Sequence, residues 1–91
     1  RIKERKSMEY TIRLTPSAEK EKENLPEKDR LRLSVVFAVL RSSPYLGKKL
    51  QGKFAGFYAL RSWPYRIVYE VDDTQKIVTI IRIRHRKDSY S

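Results

Sequence analysis

Cysteine is missing from this chain of 91 residues, histidine occurs once, and the 11 acidic residues are outnumbered by 21 lysines and arginines. Each shortage closes off a class of chemistry. Without thiols there is no disulfide staple and no thiolate nucleophile, which fits a reducing compartment and predicts a cytoplasmic protein. One histidine among scattered carboxylates makes no ligand set, so no metal and no other cofactor is expected. No apolar run approaches the ~20 residues that cross a bilayer. The three glycines, Gly47, Gly52 and Gly56, form neither a P-loop nor a GxGxxG motif. Residues 1–7 are basic with no apolar segment after them, and are set apart as an arm or a remnant of upstream sequence. Residues 8–91 are read as a single domain with one modest core.

What is abundant is positive charge, +10 in all, and it is unevenly spread. Residues 1–7 carry +3 (four basic, one acidic) and residues 8–45 carry +1 (seven basic, six acidic). Residues 46–91 carry +6 (ten basic, four acidic). Such a surplus suits a nucleic acid, an acidic protein or an anionic membrane surface, unless it is only a solvated basic surface.

The run MEYTIRLT alternates, with Tyr10, Ile12 and Leu14 on one face, and predicts a short strand. Thr15 followed by Pro16 is a helix start, and the helix it opens is polar apart from Ala18 and Leu25. After Pro26, Leu33, Val36, Phe37 and Leu40 recur at helical spacing, and Leu31, Val35 and Val39 widen the stripe. That width predicts a largely buried second helix. A loop with all three glycines follows, and then three strands joined by short turns, which implies antiparallel neighbours. The order β-α-α-β-β-β predicts an α+β fold, a helical hairpin on one face of a mostly antiparallel sheet.

Alternation then sorts the strand residues between two faces. Gathering Leu60, Ile67, Tyr69, Val71, Ile81 and Ile83 toward the helices sends Arg61, Arg66, Arg82 and Arg84 to the other side. Arg86 would continue that row, and Val68, Glu70, Val78 and Ile80 would share the face. The nearby acids Glu70, Asp72 and Asp73 are too few to neutralise the set, so an anion-binding sheet face is expected, with a phosphate chain as its natural ligand. A guanidinium stays protonated and cannot act as a base, but it can clamp a phosphate and stabilise charge that builds on it. Proton transfer falls to His85 or Tyr90. The residues alone leave open an ordinary packing role for both.

Three stretches carry a family resemblance: the KLxGxxxGxYxLR run ending at Arg61, the strand YRIVY at residues 65–69, and HRKDSY at residues 85–90. Together they resemble the RelE/ParE superfamily of type II toxins, and its RelE branch in particular, over residues 8–90. The resemblance implies a ribosome-dependent endoribonuclease that cuts mRNA in the ribosomal A site without a metal. By position, Arg66 matches an arginine that contacts the scissile phosphate, and Arg86 a second arginine of the site. Tyr90 matches a C-terminal tyrosine linked to proton transfer and base stacking. Arg61 falls where familiar members carry lysine, and His85 resembles a histidine that replaces lysine in many relatives. Two departures stand out: Ala59 occupies the place of a further lysine, and Trp63–Pro64 replaces a commoner polar or glycine turn.

The expected reaction is attack by the RNA 2′-hydroxyl to give a 2′,3′-cyclic phosphate, with His85 and Tyr90 as acid and base in either order. Lys48, Lys49, Lys53, Arg82, Arg84 and Lys87 are expected to bind nucleic acid. The implied partners are the ribosome, mRNA and an acidic antitoxin, with no membrane. The toxin itself is expected to be monomeric, with higher assembly through the antitoxin. Two other readings share the sequence: a ParE-like inhibitor of DNA gyrase without nuclease activity, and a non-catalytic nucleic-acid-binding homologue.

Overall fold

The computed structural model describes residues 9–89. The elements run β1 (Thr11–Leu14), α1 (Pro16–Glu23), α2 (Glu27–Ser42), β2 (Lys48–Lys49), a 3-10 turn (Gly52–Phe54), β3 (Phe57–Ser62), β4 (Tyr65–Asp72), β5 (Ile77–His85) and α3 (Arg86–Ser89). This is the expected α+β order, with two additions. The sheet has five strands in the order β1-β5-β4-β3-β2, because the two lysines of the glycine-containing loop pair with Tyr58 and Ala59. β1 lies parallel to β5 at the far edge, whereas the pairs β2–β3, β3–β4 and β4–β5 are antiparallel.

Local chemistry starts the helices where the sequence predicts. Thr15 caps α1, its Oγ1 accepting from the Ala18 N–H at 3.2 Å, and Pro16 takes the first position, where no N–H is needed. α1 is polar because only Ala18 reaches the core. α2 buries Leu33 and Leu40 fully and Val36 and Phe37 partly. Leu31, Val35 and Val39, however, are 62%, 64% and 41% exposed, so the expectation of a largely buried α2 is corrected. A helix lying on one sheet face has a single covered side, and nothing among the described residues provides a layer over the other.

The core forms between α2 and the sheet, from Tyr10, Leu33, Leu40, Ile67, Tyr69, Val78, Ile80 and Ile83. A second correction concerns β5. Val68 pairs with Arg82 but the next residue, Tyr69, pairs with Ile80, so Ile81 is an extra residue, a β-bulge. The bulge reverses the alternation on its N-terminal side. Val78 and Ile80, expected on the arginine face, are fully buried in the core, and Ile81 leaves it. The bulge is held from outside the sheet. Thr15 donates its hydroxyl to the Ile81 carbonyl at 3.0 Å, and the Ile83 N–H donates to Glu21 Oε1 at 2.7 Å.

Gly47 sets the position of β2. Its N–H donates to the Tyr69 hydroxyl at 2.9 Å, and a Cβ there would lie 2.6 Å from that hydroxyl and 2.8 Å from the Ala59 carbonyl oxygen. Only glycine lets the backbone cross so close to a buried ring. Gly52 and Gly56, at φ +70° and +99°, bracket the 3-10 turn that follows.

Candidate functional site

Three arginines stand in one row across the sheet. Arg66 on β4 is paired directly with Arg61 on β3 and with Arg84 on β5. Directly opposed residues share a face, with Cβ atoms about 5 Å apart. That face is the one turned away from the helices, since the flanking pairs Leu60–Ile67 and Ile67–Ile83 point into the core. Arg61 and Arg66 are exposed. Lys48 pairs with Ala59 and so joins the same face, whereas Lys49 pairs with Tyr58 and lies on the helix side. The short β2 therefore brings one lysine of the pair to the arginines. Together Lys48, Arg61 and Arg66 line a recess of about 570 Å³ with Leu46, Gly47 and Leu50.

The other candidate residues are spread around this row. Arg82 follows Val68 on the arginine face but is drawn to α1, where its Nε and Nη2 donate to Glu21 Oε2 at 3.0 and 2.7 Å. Arg86 has left the strand and opens α3, with its guanidinium 4.9 Å from the centre of the exposed Trp63 ring. Its N–H donates to the Pro64 carbonyl at 2.8 Å, which ties α3 to the β3–β4 turn. Trp63–Pro64 is cis, and the Trp63 carbonyl accepts from Arg32 at 3.0 Å. Lys53 lies on the 3-10 turn with its ammonium 5.7 Å from the Phe54 ring centre. Tyr90 lies outside the described residues.

His85 pairs with Tyr65 and their rings meet edge to face at 5.4 Å, so it sits at the end of the sheet on the helix side, off the arginine row. The Lys87 N–H donates to its Nδ1 at 3.1 Å. A neutral ring that accepts at Nδ1 carries its proton on Nε2. His85 therefore caps α3 with one nitrogen and offers a donor with the other. Tyr65 behind it donates to Asp29 Oδ2 at 2.7 Å. Burial, and then that bond to a carboxylate, push the Tyr65 hydroxyl up to about 12. At neutral pH it is a fixed support for the histidine and no proton carrier.

Three features of this region were not read from the sequence: Glu21 as the partner of Arg82, Trp63 as the ring beside Arg86, and an apolar hollow next to Arg66. That hollow measures about 310 Å³ and is lined by Leu50, Phe54, Phe57, Val68 and Ile81 together with Arg66, Arg82 and Arg84. A usable signal existed for the hollow, since Phe54 and Phe57 flank Gly56 within one short glycine-containing stretch. No sequence signal pointed to Glu21, which lies 61 positions from Arg82.

The chain is similar to known proteins in sequence and in fold. Residues 12–90 match the family described as ParE toxin of the type II toxin–antitoxin system, parDE. The chain is 37% identical to Toxin RelG of Mycobacterium tuberculosis over 87 residues, covering 91% of this chain and 98% of that one. It is 36% identical to Toxin RelE of the same organism, covering 89% and 86%. Among solved structures, the RelBE2 toxin–antitoxin complex of M. tuberculosis has a chain that superposes with a TM-score of 0.80 at 32% identity, covering 86% of this chain and 99% of that one. The α+β fold, the arginine-bearing sheet face and these likenesses place the chain in one family: it is a type II toxin–antitoxin toxin of the RelE/ParE superfamily.

Proposed function

We propose that this toxin is a metal-independent, ribosome-dependent endoribonuclease that cuts mRNA in the A site. The observation that carries the reading is the in-register row Arg61–Arg66–Arg84, with Lys48 at its edge. Arg61 and Arg66, exposed and directly opposed, cost the sheet stability as like charges, and an anion held between them offsets that cost. In the proposed reaction the 2′-hydroxyl attacks the adjacent phosphorus. The O2′–P bond forms, the P–O5′ bond breaks, and a 2′,3′-cyclic phosphate remains. Arg61 and Arg66 hold the non-bridging oxygens and stabilise the charge that grows on them, while Arg86 acts from the α3 side. His85 sits at the sheet end on the helix side, so it meets the leaving 5′-oxygen only where the strand of RNA passes around that end, and there Nε2–H is the donor because Nδ1 is taken by the Lys87 N–H. Tyr90 is left as the group that takes the 2′-hydroxyl proton. Lys53, Arg84 and Lys87 extend the basic surface toward ribosomal RNA, Lys49 adds a charge to it from the helix side of β2, and Arg82 joins them where it parts from Glu21.

The proposed protein partner is an acidic antitoxin. Two observations support it: a chain of the same fold was solved as a toxin–antitoxin complex, and this chain offers an uncovered apolar stripe on α2 within a molecule of net charge +10.

Primer extension on ribosome-bound message tests the activity. Wild type cuts within the A-site codon, and Arg66→Ala and Arg61→Ala each lose about 100-fold or more with little change in melting. The match to the ParE description favours one second reading, inhibition of DNA gyrase. Intact message together with failed supercoiling would establish that reading instead.

A further inference from the structure

The apolar hollow on a face otherwise given to arginine is not needed by the core. Phe54 is 51% exposed, and Ile81 is put there only by the bulge, which trades a core position for this one. Leaving Phe54 and Ile81 partly in water forgoes burial that either could have contributed elsewhere. Arg66 lines both this hollow and the cationic recess, as does Leu50, so the two depressions share a wall. One is lined by Lys48, Arg61 and Arg66, and the other by Phe54, Phe57, Val68 and Ile81 with the arginines Arg66, Arg82 and Arg84 around them. A nucleotide presents a phosphate and a flat apolar ring on every unit. Single-stranded RNA is commonly read by splaying a base onto an aromatic or guanidinium plane.

We propose that the hollow lined by Leu50, Phe54, Phe57, Val68 and Ile81 seats a nucleobase flanking the phosphate held by Lys48, Arg61 and Arg66. The inference rests on the nuclease reading for its substrate class, and it adds a base subsite. Phe54 is the wall that the base stacks on. Arg66 is the hinge between subsites, touching the phosphate on one side and the edge of the base on the other. Seating one base in the hollow turns its neighbour out of the stack and fixes the sugar between them, which aligns the 2′-oxygen with phosphorus.

The test is a binding cycle that needs no cleavage. Short single-stranded RNA with 2′-O-methyl groups, which block the nucleophile, is titrated at low salt into the full chain. A matched set carries one abasic unit at successive positions. At one position the abasic unit should weaken wild-type binding about 10-fold. Phe54→Ala should bind the complete strand about 10-fold more weakly and ignore the abasic unit at that position, while Phe54→Trp keeps both the affinity and the discrimination. The exposed position of Phe54 makes both variants safe for folding, which melting checks. An abasic penalty that is absent at every position, or unchanged in Phe54→Ala, overturns the base subsite, as does failure of the wild type to bind the strand. If Phe54→Ala weakens only the antitoxin complex, the hollow belongs to a protein side chain and the proposal is wrong. Primer extension with the wild type separates the two readings. Intact message beside base-dependent binding removes the nuclease and leaves the subsite, whereas cleavage without base dependence removes the subsite alone.

Discussion

Arg66 stands between Arg61 and Arg84 on neighbouring strands, and both recesses of the arginine face meet at its side chain. Around it, each charged neighbour is given a different task by what it touches. Glu21 draws Arg82 toward α1, and Trp63 sits beside Arg86. His85 is turned to the helix side by Tyr65, a fully placed ring whose hydroxyl is held protonated. That last feature makes a pH prediction. Tyr65 is raised to about 12 in the folded chain against about 10 for an unfolded tyrosine. Below pH 10 both states keep the proton and stability does not depend on this group. As pH rises from 10 to 12 the unfolded chain releases the proton and the folded chain does not, so stability falls, by on the order of 1 kcal/mol per pH unit. Burial and the Asp73 acceptor raise Tyr69 and Tyr10 as well, adding to the same slope. Urea melts across this range should show a shallower alkaline loss for Tyr65→Phe than for wild type. Equal slopes would mean that the Tyr65 hydroxyl is not raised in the folded chain.

At the scale of elements, the two-residue strand β2 shows how a small piece of backbone aims a side chain. Lys48 faces the arginines and Lys49 faces away because β2 docks in one register against β3. Gly47 makes that docking possible by running 2.9 Å from the hydroxyl of a ring with no exposure at all. Gly47→Ala has no room on either side, and the buried Tyr69 cannot step aside. It should cost about 1–3 kcal/mol in denaturant melts. It should also lower cleavage beyond what the stability loss explains, since Lys48 moves with the strand. A melt equal to wild type would show that β2 is not pinned in this way. The bulge in β5 acts in the same manner on a longer strand. It keeps Arg82 and Arg84 on the outer face while bringing Val78 and Ile80 into the core.

For the whole molecule, the two sheet faces have opposite needs. The inner face is covered by α2, and the outer face carries the arginine row with no helix over it among the described residues. α2 in turn presents Leu31, Val35 and Val39, spaced four residues apart, to solvent. A basic protein of this size does not bury that stripe against a copy of itself without bringing +10 against +10. An acidic antitoxin with an amphipathic segment resolves both the charge and the apolar surface. Val35→Asp should leave melting and mRNA cleavage unchanged and weaken the complex with the cognate antitoxin about 10-fold or more, measured by titration. An unaltered affinity would remove α2 from the antitoxin interface.

Legibility in the sequence followed distance along the chain. The helix start at Thr15–Pro16, the element order β-α-α-β-β-β, the surplus of basic charge and the outward turn of Arg61, Arg66, Arg82 and Arg84 were all determined locally. Capping and period-two alternation act over two to four residues. The family motifs lie in the same short runs. Tertiary structure alone decided the rest. The Ile81 bulge depends on Thr15 and Glu21, more than 60 positions away, which satisfy the backbone groups it releases. Val78 and Ile80 were misplaced for that reason, because alternation predicts a face only while pairing is unbroken. The exposed stripe of α2 was misread because periodicity marks an apolar side without showing whether anything lies against it. Hydrogen-bond satisfaction and burial are settled between segments remote in sequence, and those two decided where the arginine row ends and where the apolar hollow begins.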